Sequence, residues 1–246
     1  MKQLLLLLAL ALTAFSYESI AKYKIKYGGF ITIGEAEARL VINGDSYETV
    51  VSAKATGMAG ALSFHRAESY TSKGKIIDKR LVPESLEMRS TTDKKSYYFG
   101  AFPDHENEQA TMIKERCTEG VCKYESTVIN GENFSHDDIL TLYHNLLNDF
   151  VASGAKSIEK RALGSKKAVE VVVPEGKQLK TAKKLFDDKA GVYLLVLLNQ
   201  EIFTSEKGRL FINLDSKDGV VTKAVLQDTV LFGDITGELE KKIVNP

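Results

Sequence analysis

Residues 35–55 read EAEARLVINGDSYETVVSAKA, and this stretch decides the fold class. Ala36, Ala38 and Leu40 share one parity while Glu35, Glu37 and Arg39 share the other, the two-residue period of a half-buried strand. Asn43-Gly44 then supplies the positive-φ residues a tight hairpin turn needs. The chain returns with Tyr47, Thr49, Val51, Ala53 and Ala55 on one parity, so the two runs form a hairpin with one apolar face.

The same grammar extends outward. A third run, Ala61 to Tyr70, places Leu62, Phe64 and Tyr70 on one face, interrupted there by Arg66 and Glu68. Tyr97 and Phe99 do the same on a later strand. Turn chemistry recurs at Ser72-Lys73-Gly74, Asp93-Lys94-Lys95, Glu119-Gly120 and Asn130-Gly131. Strands so spaced predict a mainly β fold: an antiparallel meander curled into a half-barrel or sandwich.

At Ser135 the period changes. Ile139, Leu142, Tyr143, Leu146, Leu147 and Phe150 repeat at helical spacing and make one apolar stripe. Ser135 reads as the N-cap with Asp138 as its capping-box partner, Phe134 and Ile139 as a hydrophobic staple, and Gly154 as the stop. The expected fold packs its curled sheet on this amphipathic helix. Beyond it come a strand over Ala168–Val173, a second short helix near Leu179–Lys189, and strands at Val192–Leu198, Arg209–Leu214 and Val220–Thr229. Val192–Leu198 is apolar on both parities, which demands cover on both faces.

The first residues are Met1, Lys2 and Gln3, followed by an apolar run from Leu4 to Leu12. A positive charge and a short apolar stretch match a secretory signal peptide, with small residues offering cleavage after Ser16 or after Ala21. Nine apolar residues are too few to span a bilayer, which takes about 20. No cysteine follows the run, so a lipoprotein is not expected. No later stretch of the mature chain reaches transmembrane length. The expected organisation is a signal over residues 1–21 and one β-rich periplasmic domain over 22–246.

The chain carries 33 basic and 33 acidic residues. Cutting after Ser16 removes Lys2 alone, leaving 32 basic against 33 acidic residues. Cutting after Ala21 also removes Glu18 and leaves 32 of each. Neither balance provides the concentrated basic field of a nucleic-acid partner.

Several segments resemble an exported bacterial family, domain of unknown function 3108. Tyr27 through Ile33-Gly34-Glu35-Ala36 resembles its opening strand, and Ser69–Gly74 with Leu81-Val82-Pro83 its strand, turn and L-x-P segment. Asp137-Asp138-Ile139-Leu140-Thr141-Leu142-Tyr143 resembles its acidic helix start, and Phe232-Gly233-Asp234-Ile235-Thr236-Gly237-Glu238-Leu239 its closing strand. Two features depart: Phe211 or Ile212 stands where members often carry Trp, and His144-Asn145 follows Tyr143 where an arginine is common. The resemblance implies an exported β-rich fold akin to the half-barrels of lipoprotein carriers, and no catalytic residues.

Cys117 and Cys122 flank Glu119-Gly120, so in an oxidising compartment they read as a structural disulfide across a hairpin neck. The redox-active alternative lacks the C-x-x-C spacing and a following helix N-terminus. His65, His105, His136 and His144 show no metal-ligand spacing, and Asp104, His105, Glu106 and Glu108 read as a solvated acidic loop. Glu35 and Glu37 occupy the outward parity of their strand. No nucleophile elbow, phosphate loop or dinucleotide fingerprint occurs, so neither an enzyme nor a cofactor is expected. The leading expectation is a non-enzymatic periplasmic binding protein or carrier for an apolar envelope component such as lipid, lined by Leu62, Phe64, Tyr70, Tyr97, Phe99, Leu142, Tyr143 and Leu146. The alternative is a structural or assembly factor that contacts an envelope protein partner.

Overall fold

The structure is a computed structural model that describes residues 16–165, 167–197, 208–229 and 233–245; the apolar run at 4–12 lies outside them. Eight strands form the first half: β1 (Ser16–Tyr27), β2 (Ile31–Asn43), β3 (Ser46–Ala55), β4 (Ala67–Ile77), β5 (Arg80–Thr91), β6 (Lys95–Asp104), β7 (Gln109–Thr118) and β8 (Val121–Asn130). A short helix α1 (Gly57–Leu62) joins β3 to β4. Helix α2 (Ile139–Ser153) follows the meander, then β9 (Ser157–Lys160), β10 (Val169–Val172), helix α3 (Gly176–Leu185), β11 (Val192–Leu197), β12 (Arg209–Leu214), β13 (Val221–Thr229) and β14 (Gly233–Asn245).

Among the described residues all fourteen strands belong to one antiparallel sheet, in the order β8 to β1 and then β14 to β9, and its two ends do not pair. The two halves meet at β1, which pairs with β2 on one side and β14 on the other. Helix α2 explains the curl. Its Leu140, Tyr143 and His144 face Ser19, Ala38, Thr49 and Val51 of β1–β3. Its Leu146 shares a core with Val171, Leu194, Val196, Ile212 and Leu214 of β10–β12. A helix cylinder about 10 Å across meets strands from both halves only where the sheet bends around it. The expected mainly β fold with a curled antiparallel sheet on one helix is the observed one.

Val192–Leu197 shows how both faces are covered. Leu194 and Val196 point to α2, whereas Leu195 joins Ala182, Phe186, Phe211 and Val225 under α3. Phe186 and Leu195 are fully buried. The short helix expected near Leu179–Lys189 is α3, shifted toward the N-terminus, and it is the second cover.

Three sequence readings are corrected. Ala61–Tyr70 is not one strand: α1 runs to Leu62, Phe64 and His65 both take φ 54°, and β4 starts at Ala67. The alternating Leu62 and Phe64 therefore straddle a turn. Ser72-Lys73-Gly74 lies inside β4, and the turn is Asp78-Lys79, at φ 50° and 64°. Gly74 is there for close approach, since a Cβ would sit 2.0 Å from the Val82 carbonyl oxygen. The N-cap of α2 is Asp138, not Ser135. The Asp138 carboxylate accepts from the Leu140 and Thr141 amides at 2.8 Å each, and Thr141 Oγ1 accepts from the Asp138 amide at 2.8 Å. Ser135 Oγ instead donates to the Arg161 carbonyl, 2.6 Å away. With the cap at Asp138, Phe134 and Ile139 no longer hold the staple positions; Ile139 is exposed, and Leu140 is buried in its place. Gly154 ends the helix at φ 59°, as expected.

Candidate functional site

A cavity of about 780 Å³ lies over β1–β5 near the ends that carry the β1–β2 turn and α1. Its lining alternates small residues, Ala36, Ser52, Ala53 and Ser69, with the charged Lys22, Glu35, Glu37, Lys54, Glu68 and Arg89. In register, Lys22, Glu37, Ser52, Ser69 and Arg89 form one row across β1–β5, and on the same face Glu35 lies opposite Lys54. The Glu35–Lys54 and Lys22–Glu37 pairs close to 3.3 and 3.1 Å. Each is solvent-exposed, and such pairs contribute about 0–1 kcal/mol, so a ligand charge can replace either partner at little cost.

A group of exposed apolar side chains lies at the β1–β2 turn and α1, outside the lining of this cavity. Phe30 in the β1–β2 turn, Ile31 at the start of β2, Met58 and Leu62 in α1, and Phe64 just after it are 79%, 49%, 83%, 80% and 54% exposed. These residues continue directly from β2 and β3, whose Glu35 and Lys54 line the cavity. The Lys94 ammonium lies 5.6 Å from the centre of the Phe64 ring, and the Asp93 amide donates to the Phe64 carbonyl.

A second space of about 90 Å³ lies between α2 and β1–β3, bordered by Tyr23, Ala38, Val51, Tyr143 and His144. Burial pushes the Tyr23 hydroxyl up to about 12 and pulls the His144 imidazole down to about 4. Below it runs a buried polar seam. His144 Nε2 is 3.2 Å from Thr49 Oγ1, and the Tyr47 hydroxyl is 2.9 Å from Ser72 Oγ. Asn145 accepts from the Leu81 amide at 2.9 Å, and donates to the Leu81 carbonyl at 2.9 Å and to Asp137 at 2.7 Å. Arg80 bridges Asp137 and Asp149, and Lys160 reaches Asp149 at 2.5 Å. Burial raises the Asp138 carboxyl above its usual range. The seam fixes α2 against β3–β5 by side chain to backbone bonds. Its one sequence trace is polar Asn145, set between Leu142 and Leu146 within the apolar stripe.

The expected lining residues separate into three groups. Tyr70 and Phe99 sit half-buried on the sheet face that carries α2, joined through Met88 in register, and Tyr97 lies one layer above under the Arg116 guanidinium. Leu142 and Leu146 are buried, and the half-buried Tyr143 donates its hydroxyl proton to the Gly219 carbonyl at 2.8 Å. Leu62 and Phe64 belong to the exposed apolar group. Of the eight, only Tyr143 borders either cavity; the charged lining around Lys54 and Arg89 was not foreseen.

The acidic loop closes on itself: Asp104 accepts from the Asn107 amide and side chain and from Gln109, and these bonds hold its carboxyl below the usual range. His105 Nε2 donates to the Pro83 carbonyl at 2.6 Å, and its Nδ1 lies 3.2 Å from His136 Nδ1. Cys117 and Cys122 form the expected disulfide, with S–S 2.06 Å. Among the described residues no helix is long and apolar enough to cross a membrane.

No family model matches the chain, and no curated protein does. A beta-barrel-like protein of domain of unknown function DUF1849 from Brucella abortus is similar in structure, with TM-score 0.47 and 12% identity over 95% of this chain and 99% of that one. The resemblance to domain of unknown function 3108 rests on the quoted motifs alone.

Proposed function

We propose that this chain is an exported, non-enzymatic binding protein or carrier for an amphipathic, lipid-like envelope component. The observation that carries the reading is a cavity of about 780 Å³ over strands whose β1–β2 turn and α1 ends carry five exposed apolar side chains. That volume lies in the range of small-molecule sites, about 300–1,000 Å³. Those exposed apolar side chains suit an acyl or isoprenoid body, and the charged Lys and Glu lining suits a polar head. Export is supported by the charged start and apolar run at 2–12 and by the disulfide, a bond that persists in oxidising compartments.

Mass spectrometry of solvent extracts of the mature protein is expected to find a co-purifying amphipath. Adding that compound at a hundredfold excess over its dissociation constant stabilises the fold by about 2.7 kcal/mol. Ala53→Phe, placed in the lining, is expected to abolish the shift. A clean extract together with no shift across a panel of phospholipids, fatty acids and isoprenyl phosphates would sink the proposal.

A further inference from the structure

We infer that the free edge of β8 is a dimerisation surface that takes β8 of a second copy of this chain, antiparallel. Strand β8 is ten residues long and pairs with β7 throughout, without a bulge. Among the described residues nothing pairs with its other side. An unprotected edge of this length is a template for strand addition. The opposite edge of the sheet, β9, has only four residues, two of them charged.

The hydrogen-bond phase of β8 follows from its hairpin. The two-residue turn Glu119-Gly120, at φ 51° and 83°, makes Thr118 and Val121 a hydrogen-bonded pair. Cys117 and Cys122 are then a non-hydrogen-bonded pair, and their Cα separation of 4.0 Å agrees. Alternation continues down the strand. Cys122, Tyr124, Ser126 and Val128 therefore turn their N–H and C=O groups away from β7, toward the free edge. The disulfide fixes the turn end of the strand, which lowers the ordering cost of adding a neighbour.

Charge selects the partner and the register. Lys123 and Glu125 form no ion pair among the described residues, and Lys123 faces the like charge of Arg116 across β7. A two-fold axis at Tyr124 pairs Tyr124 with the partner's Tyr124, and Cys122 with the partner's Ser126, as hydrogen-bonded pairs. It also sets Lys123 against the partner's Glu125, twice, in the closely spaced non-hydrogen-bonded positions. Such an isologous contact closes as a dimer and leaves the cavity over β1–β5 free.

Sedimentation analysis of the oxidised mature protein is expected to give a concentration-dependent dimer. Lys123→Glu sets like charges opposite each other at both positions and raises the dissociation constant about tenfold or more. The double change Lys123→Glu with Glu125→Lys restores the dimer. Ser126→Pro removes an amide that points away from β7, so it gives a monomer with unchanged circular dichroism and the melting temperature of the dilute, monomeric wild type. A wild-type protein that stays monomeric at high micromolar concentration overturns the inference, even if β8 captures a different protein. So does a dimer that survives both Lys123→Glu and Ser126→Pro.

Discussion

His144 is the residue on which the pH response turns. It sits on α2 against β3, bonded to Thr49, and burial holds its imidazole at about 4 against an ordinary 6.5. A folded-state value below the unfolded one means that folding favours the neutral ring. The contribution is therefore fully present above pH 6.5 and is lost as pH falls toward about 4. Over that pH window the contribution amounts to roughly 3 kcal/mol. Asp138 acts in the opposite sense: its raised folded value gives stability that is present at low pH and lost as pH rises through that value. Urea unfolding of wild type and His144→Gln at pH 7 and pH 4 separates the two. Wild type is expected to lose roughly 3 kcal/mol more than the variant between these values. Equal losses would show that the ring is solvated.

At the scale of elements, the β7–β8 hairpin and α2 show how local covalent and polar devices fix geometry. The disulfide closes a loop of only a few residues, for which chain entropy gives about 2 kcal/mol. Cys117→Ala with Cys122→Ala is expected to lower the unfolding free energy by about that amount and to leave the far-ultraviolet circular dichroism intact. A loss of folding would mean that the bond holds more than its turn. Helix α2 was legible because an apolar stripe and a left-handed Gly154 are both local signals. Its true cap was less so, since Ser135 and Asp138 are both good caps. The bond from Ser135 to the distant Arg161 carbonyl selected Asp138.

At the scale of the molecule, β1 is the seam. Residues Ser16–Ala21 pair with Asn43–Ala38 of β2, and Glu18–Ala21 also pair with Asn245–Lys242 of β14. Ser19 and Ala21 are buried there. A chain beginning at Lys22 loses half of the strand that joins the two halves, so it is expected to be unfolded or aggregated. A chain beginning at Tyr17 is expected to melt cooperatively. Calorimetry of the two tests this role of β1, and N-terminal mass analysis of protein recovered from cells tests whether the chain is cut at either proposed point. A stable, cooperative protein starting at Lys22 would contradict the role given to β1.

The sequence by itself determined the alternation of β2 and β3, the turns at Gly44 and Gly120, the disulfide, the stripe of α2 and the need to cover Val192–Leu197 on both faces. Each is written in neighbours a few residues apart, where periodicity and turn chemistry act. It could not distinguish Gly74 as a contact glycine from a turn glycine, nor show Leu62 and Phe64 on either side of a bend. Those outcomes depend on Val82 and Asp93, which reach them only through strand pairing. Tertiary structure alone decided that α3 covers β11, that charged rather than apolar side chains line the large cavity, and that β8 ends the sheet. These features join segments far apart in the chain, and the curl of the sheet around α2 sets which of them meet.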